Sequence, residues 1–489
     1  MPTPSGSHSP AEPPRGASDP RPGVLLVAHG SARSGESAGP VLALAGALSD
    51  RGFPEVRAAF WKEEPFLHQA LELMRSEVVL VLPVFLAEGY FTRTVVPREL
   101  GLRPGENRVG DRAVHLLSPL GAAEGMATIV AELARDGLPR ETDPSSALLI
   151  VLGHGTPRDP GSADAVLAVS ARLNRDRTFG RVAPAFIDQE PRLEDEVRGA
   201  REATIVVVPF LVSSGWHGGT TVPQELQRLR SVVYTQPVGN HPSIVTLAET
   251  ILLRATPSRT AVPAGSSPHC LARLERALED RLKRSEAVVL LQATCRAEQD
   301  GSFELRHVDD VARTDLAPIA GPHELSALAR RRADGQHRPL RTAADLARGW
   351  RLRAPDIPEL IEALLELYGP ALVDWHLGES GALPTASFME TAERQTGMYA
   401  GLTQAEPPAV ESGIRRTCDG IPCLRTRLWG VEDTVGGGSA SEAEQRSLRL
   451  VVPCPRPCPI LLSSVLDLTL DGRPAEGADR GVDDPVGLG

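Results

Sequence analysis

Two histidines of this chain, His154 in "GHGT" and His217 in "SSGWHGGTT", stand 63 residues apart, each close behind an apolar run. Two neutral imidazoles facing one cavity suit Co²⁺, Fe²⁺, Ni²⁺ or Zn²⁺. A site with only two or three protein ligands keeps coordination positions open, as handing the ion to another molecule requires. Four cysteines form a second constellation. Cys418 and Cys423 lie in "TCDGIPC", and Cys454 and Cys458 in "PCPRPC": C-x4-C, an interval of 30 residues, then C-x3-C. Four thiolates on two short loops can surround one metal centre. Zinc favours the closer C-x2-C spacing, whereas the wider x4 and x3 spacings suit a bulkier [4Fe–4S] cluster; zinc and disulfides stay open as alternatives. Arg415, Arg416, Arg425, Arg427 and Arg456 flank the cysteines and would offset the charge of four thiolates. Cys270 and Cys295 are isolated and read as ordinary packed or surface residues.

The elements that must position the histidines occur twice. "GVLLVAHGSARSGES" answers to "ALLIVLGHGTPRDPGSA", "VRAAFWKEEP" to "VAPAFIDQEP", and "PVFLAEGYFTRTVVPREL" to "PFLVSSGWHGGTTVPQEL", at a constant offset of 125 to 126 residues. Residues 23–130 and 145–255 therefore read as two copies of one domain. Copy 1 keeps a histidine, His29, but has Phe91 where His217 aligns. In each copy, strands apolar on both faces alternate with amphipathic stretches, as in "GVLLVAH", the helix-like "AGPVLALAGALSDRG" and "PFLHQALELMRS", and "VVLVLPVF". This pattern predicts an α/β fold of parallel sheets flanked by helices. Ligands bind such folds at the carboxyl ends of the strands, where His29 and His154 fall. Asp188 follows the middle strand of copy 2 with Glu190 nearby, and Glu88 is a candidate from copy 1.

Residues 256–269 read as a linker by composition. An α+β region at 270–400 follows, with "EAVVLLQATC" and "SFELRHVD" as paired strands. "ELSALARRRA", "AADLARGWRL" and "IPELIEALLELYG" read as helices. The four cysteines fall in 401–470, while 1–22 and 471–489 read as a disordered leader and tail. A formal net charge of −11 argues against nonspecific nucleic-acid binding. No apolar run reaches membrane-spanning length, and the first residues lack a signal-peptide pattern, so a cytoplasmic location is expected. No G-x-x-x-x-G-K-[ST] loop is present, so chemistry at the histidines should need no nucleotide. His68, His115, His241 and His337 have no spaced partners and read as surface or structural residues.

"VAHGS" and "VLGHGT", each followed by "FL", with G-x-H completing copy 2, resemble the sirohydrochlorin chelatases over residues 23–255. These are class II chelatases, and they include the anaerobic cobaltochelatases. The resemblance implies two tandem chelatase-like domains followed by α+β C-terminal domains, and insertion of Co²⁺ or Fe²⁺ into sirohydrochlorin or a related tetrapyrrole. It carries metal binding and pyrrole-proton acceptance to His154 and His217; His29, without a partner, reads either as a residual metal ligand or as a turn residue that keeps the fold. The family often has a Glu completing the site where this chain offers Asp188, with Glu190 nearby, either of which could orient a histidine or take a proton. Glu88, opposite Ser214 in the repeat alignment, is the catalytic candidate from copy 1. Arg93, Arg98 and Arg158 are candidates to meet the substrate's carboxylates. The tail, including "ERQTGMYAG", is similar to multidomain Deinococcus-type forms with a four-cysteine iron–sulfur domain. Such a cluster at Cys418, Cys423, Cys454 and Cys458 would sense redox state, pass electrons to or from a redox partner, or staple the domain. Two competing expectations stand beside the chelatase: a metal-binding or redox-sensing protein without catalysis on the same scaffold, and a tetrapyrrole oxidoreductase.

Overall fold

The computed structural model describes residues 21–471 except 32–36, 111, 157–160, 214–231, 257–269, 285–286, 323, 326–348, 396, 420–422 and 433–448. His217, Ser214, Arg158 and His337 lie outside the described residues, as do the leader, the tail and nearly all of the linker.

Copy 1 builds a sheet from β1 (Gly23–Ala28), β2 (Val56–Phe60), β3 (Val78–Pro83), β4 (Gly105–Val109) and β5 (Arg112–Leu116), in the order β2-β1-β3-β5-β4. All pairings are parallel except that of β4 with β5. Copy 2 repeats the arrangement with β6 (Leu148–Gly153), β7 (Arg181–Phe186), β8 (Ile205–Pro209) and β9 (Val233–Tyr234), ordered β7-β6-β8-β9 and parallel throughout. The central strands β1 and β6 are buried along their whole length, which is why they read as unbroken apolar runs.

The copies are interlocked through their last helices. The helix Met126–Gly137 leaves copy 1 and packs on β8, while Ser243–Ala255 leaves copy 2 and packs on β3 and the helix Gly39–Asp50. One continuous core results, holding Leu26 and Leu48 of copy 1 with Val151, Phe186, Val208 and Leu252 of copy 2. Each such fully buried side chain contributes roughly 1.5–3 kcal/mol, so the carboxyl edges of the two sheets are held in a fixed relation. The segment after each third strand is seated on a glycine. A Cβ on Gly121 would lie 2.1 Å from the Leu86 carbonyl oxygen, and one on Gly239 would lie 2.1 Å from that of Val212. Backbone cannot yield as a side chain does, so Gly239→Ala is expected to cost about 1–3 kcal/mol of overpacking. A lowered thermal midpoint checks this.

The next unit is built on β10 (Ala287–Leu290), β11 (Ala293–Ala297), β12 (Phe303–His307), β13 (Ala317–Ile319) and β14 (Trp350–Ala354), in the order β13-β14-β12-β11-β10. Arg449–Leu450 adds an edge strand beside β10. The paired strands expected here are present, but "EAVVLLQATC" is two strands, broken at Leu291, whose φ of 53° turns the chain back. The helix expected over "AADLARGWRL" is corrected at its end: Trp350, Leu352 and Ala354 alternate inward on β14, a period of two. Most of that segment and of "ELSALARRRA" lies outside the described residues. "IPELIEALLELYG" opens a helix, Ile357–Glu379, that Asp356 caps by accepting from the Glu359 N–H. It kinks at Tyr368, ahead of Pro370. "PFLHQALELMRS" is helical only over Leu67–Ala70, followed by a 3₁₀ turn, Leu71–Leu73. The cysteine-bearing unit has a small core of its own, with Phe388, Leu402, Val410, Trp429, Leu461 and Val465.

Candidate metal and cysteine sites

Each His-Gly turn needs its glycine twice over. Gly30 and Gly155 have φ of +66° and +70°, in the left-handed region. A Cβ would also lie 2.8 Å from Phe60 Cβ in copy 1 and 2.6 Å from Gln189 Cγ in copy 2. The turns are held alike: Ser31 N–H donates to Glu63 Oε1 at 3.1 Å, and Thr156 N–H to Gln189 Oε1 at 2.8 Å. Each imidazole is turned onto the following carbonyl, His29 Nδ1 to Gly30 O at 2.7 Å and His154 Nδ1 to Gly155 O at 3.0 Å. A carbonyl can only accept, so Nδ1 carries the proton and Nε2 is the basic nitrogen, the form suited to binding a cation.

The two turns differ in what stands beside the imidazole. In copy 2 the Asp188 N–H donates to the His154 carbonyl at 2.9 Å, and its carboxylate lies 3.5 Å from His154 Nδ1. In copy 1 the same backbone bond, Lys62 N–H to His29 O at 2.8 Å, brings in an ammonium instead. Lys62 is buried, bonded to Gln395 Oε1, and lies 4.3 Å from the centre of the Tyr399 ring. Burial lowers its pKa to about 8. Phe91, aligned with His217, packs edge-on against His29 at 4.8 Å. Copy 1 thus sets a cation and a phenyl ring where copy 2 has a carboxylate and, by alignment, a second imidazole.

The His29 ring touches solvent in a cleft crowded by protein. Desolvation lowers its pKa to about 4, with the charges of Lys62 and His154 acting in the same direction against the Gly30 hydrogen bond. The influence of His154 places the two His-Gly turns within electrostatic range of one another across the copies. His29 is therefore expected to titrate by imidazole NMR with a midpoint near 4. Between its ordinary 6.5 and 4 the unfolded chain takes this proton and the folded chain refuses it. Its contribution to stability is thus full above about pH 6.5 and lost as pH falls through about 4.

Among the other expected site residues, Glu88 stands half-exposed in an ion pair with Arg93 at 3.5 Å. Glu190 is exposed beside Arg192 at 3.7 Å, and Arg98 pairs with Glu99 at 3.0 Å. Among the described residues no three His, Cys, Asp or Glu side chains converge on a single bare ion.

Cys418, Cys423, Cys454 and Cys458 are thiols rather than disulfides, and all four line one cavity. Burial, then the nearness of Cys423 and Cys454, pushes the Cys418 thiol up to about 12; burial also raises Cys454 and Cys458. Trp429 Nε1–H donates to Cys454 Sγ at 3.4 Å. The opposite wall comes from copy 1: Trp61, Lys62, Glu64, Phe66, His68 and Glu99. Three nitrogens on residues of this cavity, Nε2 of His68 and Nε of Arg425 and Arg456, are buried without a hydrogen-bond partner among the described residues. A buried donor left so costs about 1–3 kcal/mol, and sulfur acceptors in the cavity would relieve it. Four thiols spread round a hollow, with buried cations and unanswered N–H groups, fit a bulky anionic iron–sulfur cluster.

Sequence reasoning named Arg425 and Arg456 as charges beside the cysteines but missed the partners that join this wall to its neighbours, Asp374, Glu64, Gln69 and Glu99. The Arg425 guanidinium is buried between Asp374 Oδ2 at 2.5 Å and Glu64 Oε1 at 2.8 Å, and Gln69 Nε2 donates to the same Asp374 oxygen at 2.8 Å. Arg456 reaches Glu99 at 3.4 Å. Lys62, also missed, had a signal, since the 126-residue offset sets "WKEEP" under "IDQEP".

Fold and site together define a duplicated α/β protein with a histidine cleft, joined to a cysteine-rich domain suited to an iron–sulfur cluster. Residues 23–137 and 148–255 match CbiX, 274–379 match the DR2241 stabilising domain, and 380–466 match a 4Fe-4S iron-sulfur cluster binding domain. Over 220 residues the chain is 32% identical to a Halobacterium salinarum protein named "Probable sirohydrochlorin cobaltochelatase", covering 41% of this chain and 75% of that one. It is also similar to the crystal structure of DR2241 from Deinococcus radiodurans, a multi-domain protein with structural similarity to chelatases and two additional domains. That likeness has 30% identity, a TM-score of 0.69, and covers 93% of this chain and 100% of that one. The chain belongs to the CbiX family of sirohydrochlorin-chelatase-like proteins, in a multidomain form.

Proposed function

We propose that this protein inserts Co²⁺ or Fe²⁺ into sirohydrochlorin or a closely related tetrapyrrole, without ATP, in the cleft between its two copies. The observation that carries this reading is the His154–Asp188 pair at the carboxyl end of β6, set in electrostatic range of His29. His154, oriented through Nδ1, offers Nε2 to the incoming ion or to a pyrrole proton; His217 serves as its partner. Asp188 stabilises the imidazolium that forms when a proton is taken. His29, held neutral, adds no repelling charge as the ion arrives, and Lys62 and Phe91 make copy 1 the weaker ligand. Arg93, exposed and paired with Glu88, would meet a substrate carboxylate.

Cys418, Cys423, Cys454 and Cys458 would hold a [4Fe–4S] cluster, which supplies one-electron storage when bound. Arg425 and Arg456 would balance its charge, and a redox partner would reach it from outside. A second reading, a redox sensor on the chelatase scaffold, is favoured by the wall that copy 1 lends to the cysteine cavity.

Anaerobic protein mixed with sirohydrochlorin and Co²⁺ or Fe²⁺, followed by absorbance without nucleotide, decides between them. Acceleration over the uncatalysed rate is expected. An iron-replete protein that gives none, yet responds to oxidants through its cysteines, would establish the sensor.

A further inference from the structure

We propose that copy 1 completes the iron–sulfur site from across the domain boundary: His68 donates its Nε2–H to a sulfur of the cluster held by the four cysteines. The inference rests on the reading that those cysteines hold a cluster. His68 is on the short helix Leu67–Ala70 of the chelatase-like copy, outside the cysteine-bearing residues. Its ring stacks on Phe66, with centroids 5.8 Å apart and planes 10° from parallel, which fixes its orientation. His68 lines the cysteine cavity, and its Nε2 is buried with no hydrogen-bond partner among the described residues.

Burial first, and then the positive charges of Arg456 and Arg425, disfavour the imidazolium and keep the ring neutral. A neutral imidazole has one N–H to give. With the proton on Nε2, the buried nitrogen becomes a donor on a residue that lines the cavity, and Arg425 and Arg456, which line it too, each leave an Nε–H without a partner among the described residues. These groups share one need, an acceptor inside the cavity, and a cluster presents sulfurs in several directions. Hydrogen bonds to cluster sulfurs favour the reduced state because it carries the extra negative charge, so they raise the reduction potential. Copy 1 would then hold part of the control over the cluster's potential.

The test is a redox titration of the full-length, anaerobically purified protein, followed by EPR, with iron and sulfide content measured in parallel. His68→Phe keeps the stacking on Phe66 and removes the N–H. It is expected to shift the reduction equilibrium about tenfold towards the oxidised form, about 59 mV for a one-electron couple. His68→Gln restores an N–H and is expected to recover most of the shift. Cluster loss in the Phe variant with retention in the Gln variant would support the same role. Wild-type potential in both variants, equal shifts in both, or cluster loss in both would overturn it, because His68 would then act only by packing. Wild-type protein without iron and sulfide would instead overturn the cluster reading, and this inference with it.

Discussion

His154→Ala is expected to lower the rate of metal insertion by about 10²–10⁴-fold, the range that a positioned acid–base side chain contributes. Iron and sulfide content should be unchanged, because His154 lies outside the cysteine cavity. Two features of the site argue for an effect of this size. The imidazole is already oriented, by Gly155 O at 3.0 Å and Asp188 at 3.5 Å, so its removal forfeits a prearranged group. The other described imidazole of the cleft, His29, is flanked by a buried ammonium and a phenyl ring and cannot replace it. Asp188→Asn keeps the shape but loses the charge, and it should cost less, about 10–100-fold in affinity for Co²⁺, as for other groups that orient a ligand. A rate in His154→Ala within a few-fold of wild type would remove this residue from the mechanism.

Arg425→Met should destabilise the protein by about 3–5 kcal/mol, the cost of breaking a buried ion pair from one side. The guanidinium is 7% exposed and Asp374 1%, so water cannot take over the lost partner. Burial already raises the Asp374 carboxyl above the ordinary carboxylate range, with Arg425 opposing that shift. Without the arginine, Asp374 must either stay charged and unpaired or take a proton. Arg425 also joins three parts of the chain, since Asp374 lies in the helix Ile357–Glu379 and Glu64 in copy 1. Its loss should therefore appear as earlier proteolysis between these units as well as a lower melting temperature. Arg425→Met combined with Asp374→Asn should recover much of the loss, because no buried charge is then left alone. If the single variant melts like wild type, the triad is worth no more than a surface pair.

The sequence by itself determined the parts whose chemistry is local. Strands buried on both faces read as apolar runs, and the His-Gly turns stood out because they recur behind such runs at the same offset. The duplication followed from a constant offset, and the cysteine spacing pointed to a cluster before any fold was known. The alternation of Trp350, Leu352 and Ala354 runs through "WRLRA", whose first three residues read from sequence as the end of a helix. Too few residues lie there to separate a period of two from one of 3.6.

The tertiary structure decided what depends on contacts between distant segments. The exchange of terminal helices between the copies has no local signature, because an amphipathic helix reads the same whichever sheet it covers. The meeting of Arg425 with Glu64, 361 residues away, and of His68 with the cysteine cavity is likewise set by packing of whole domains. Lys62 lies between these cases. Its alignment with Asp188 was visible, but burial against the cysteine-bearing unit, which made it an ammonium locked beside His29, is a property of the folded chain.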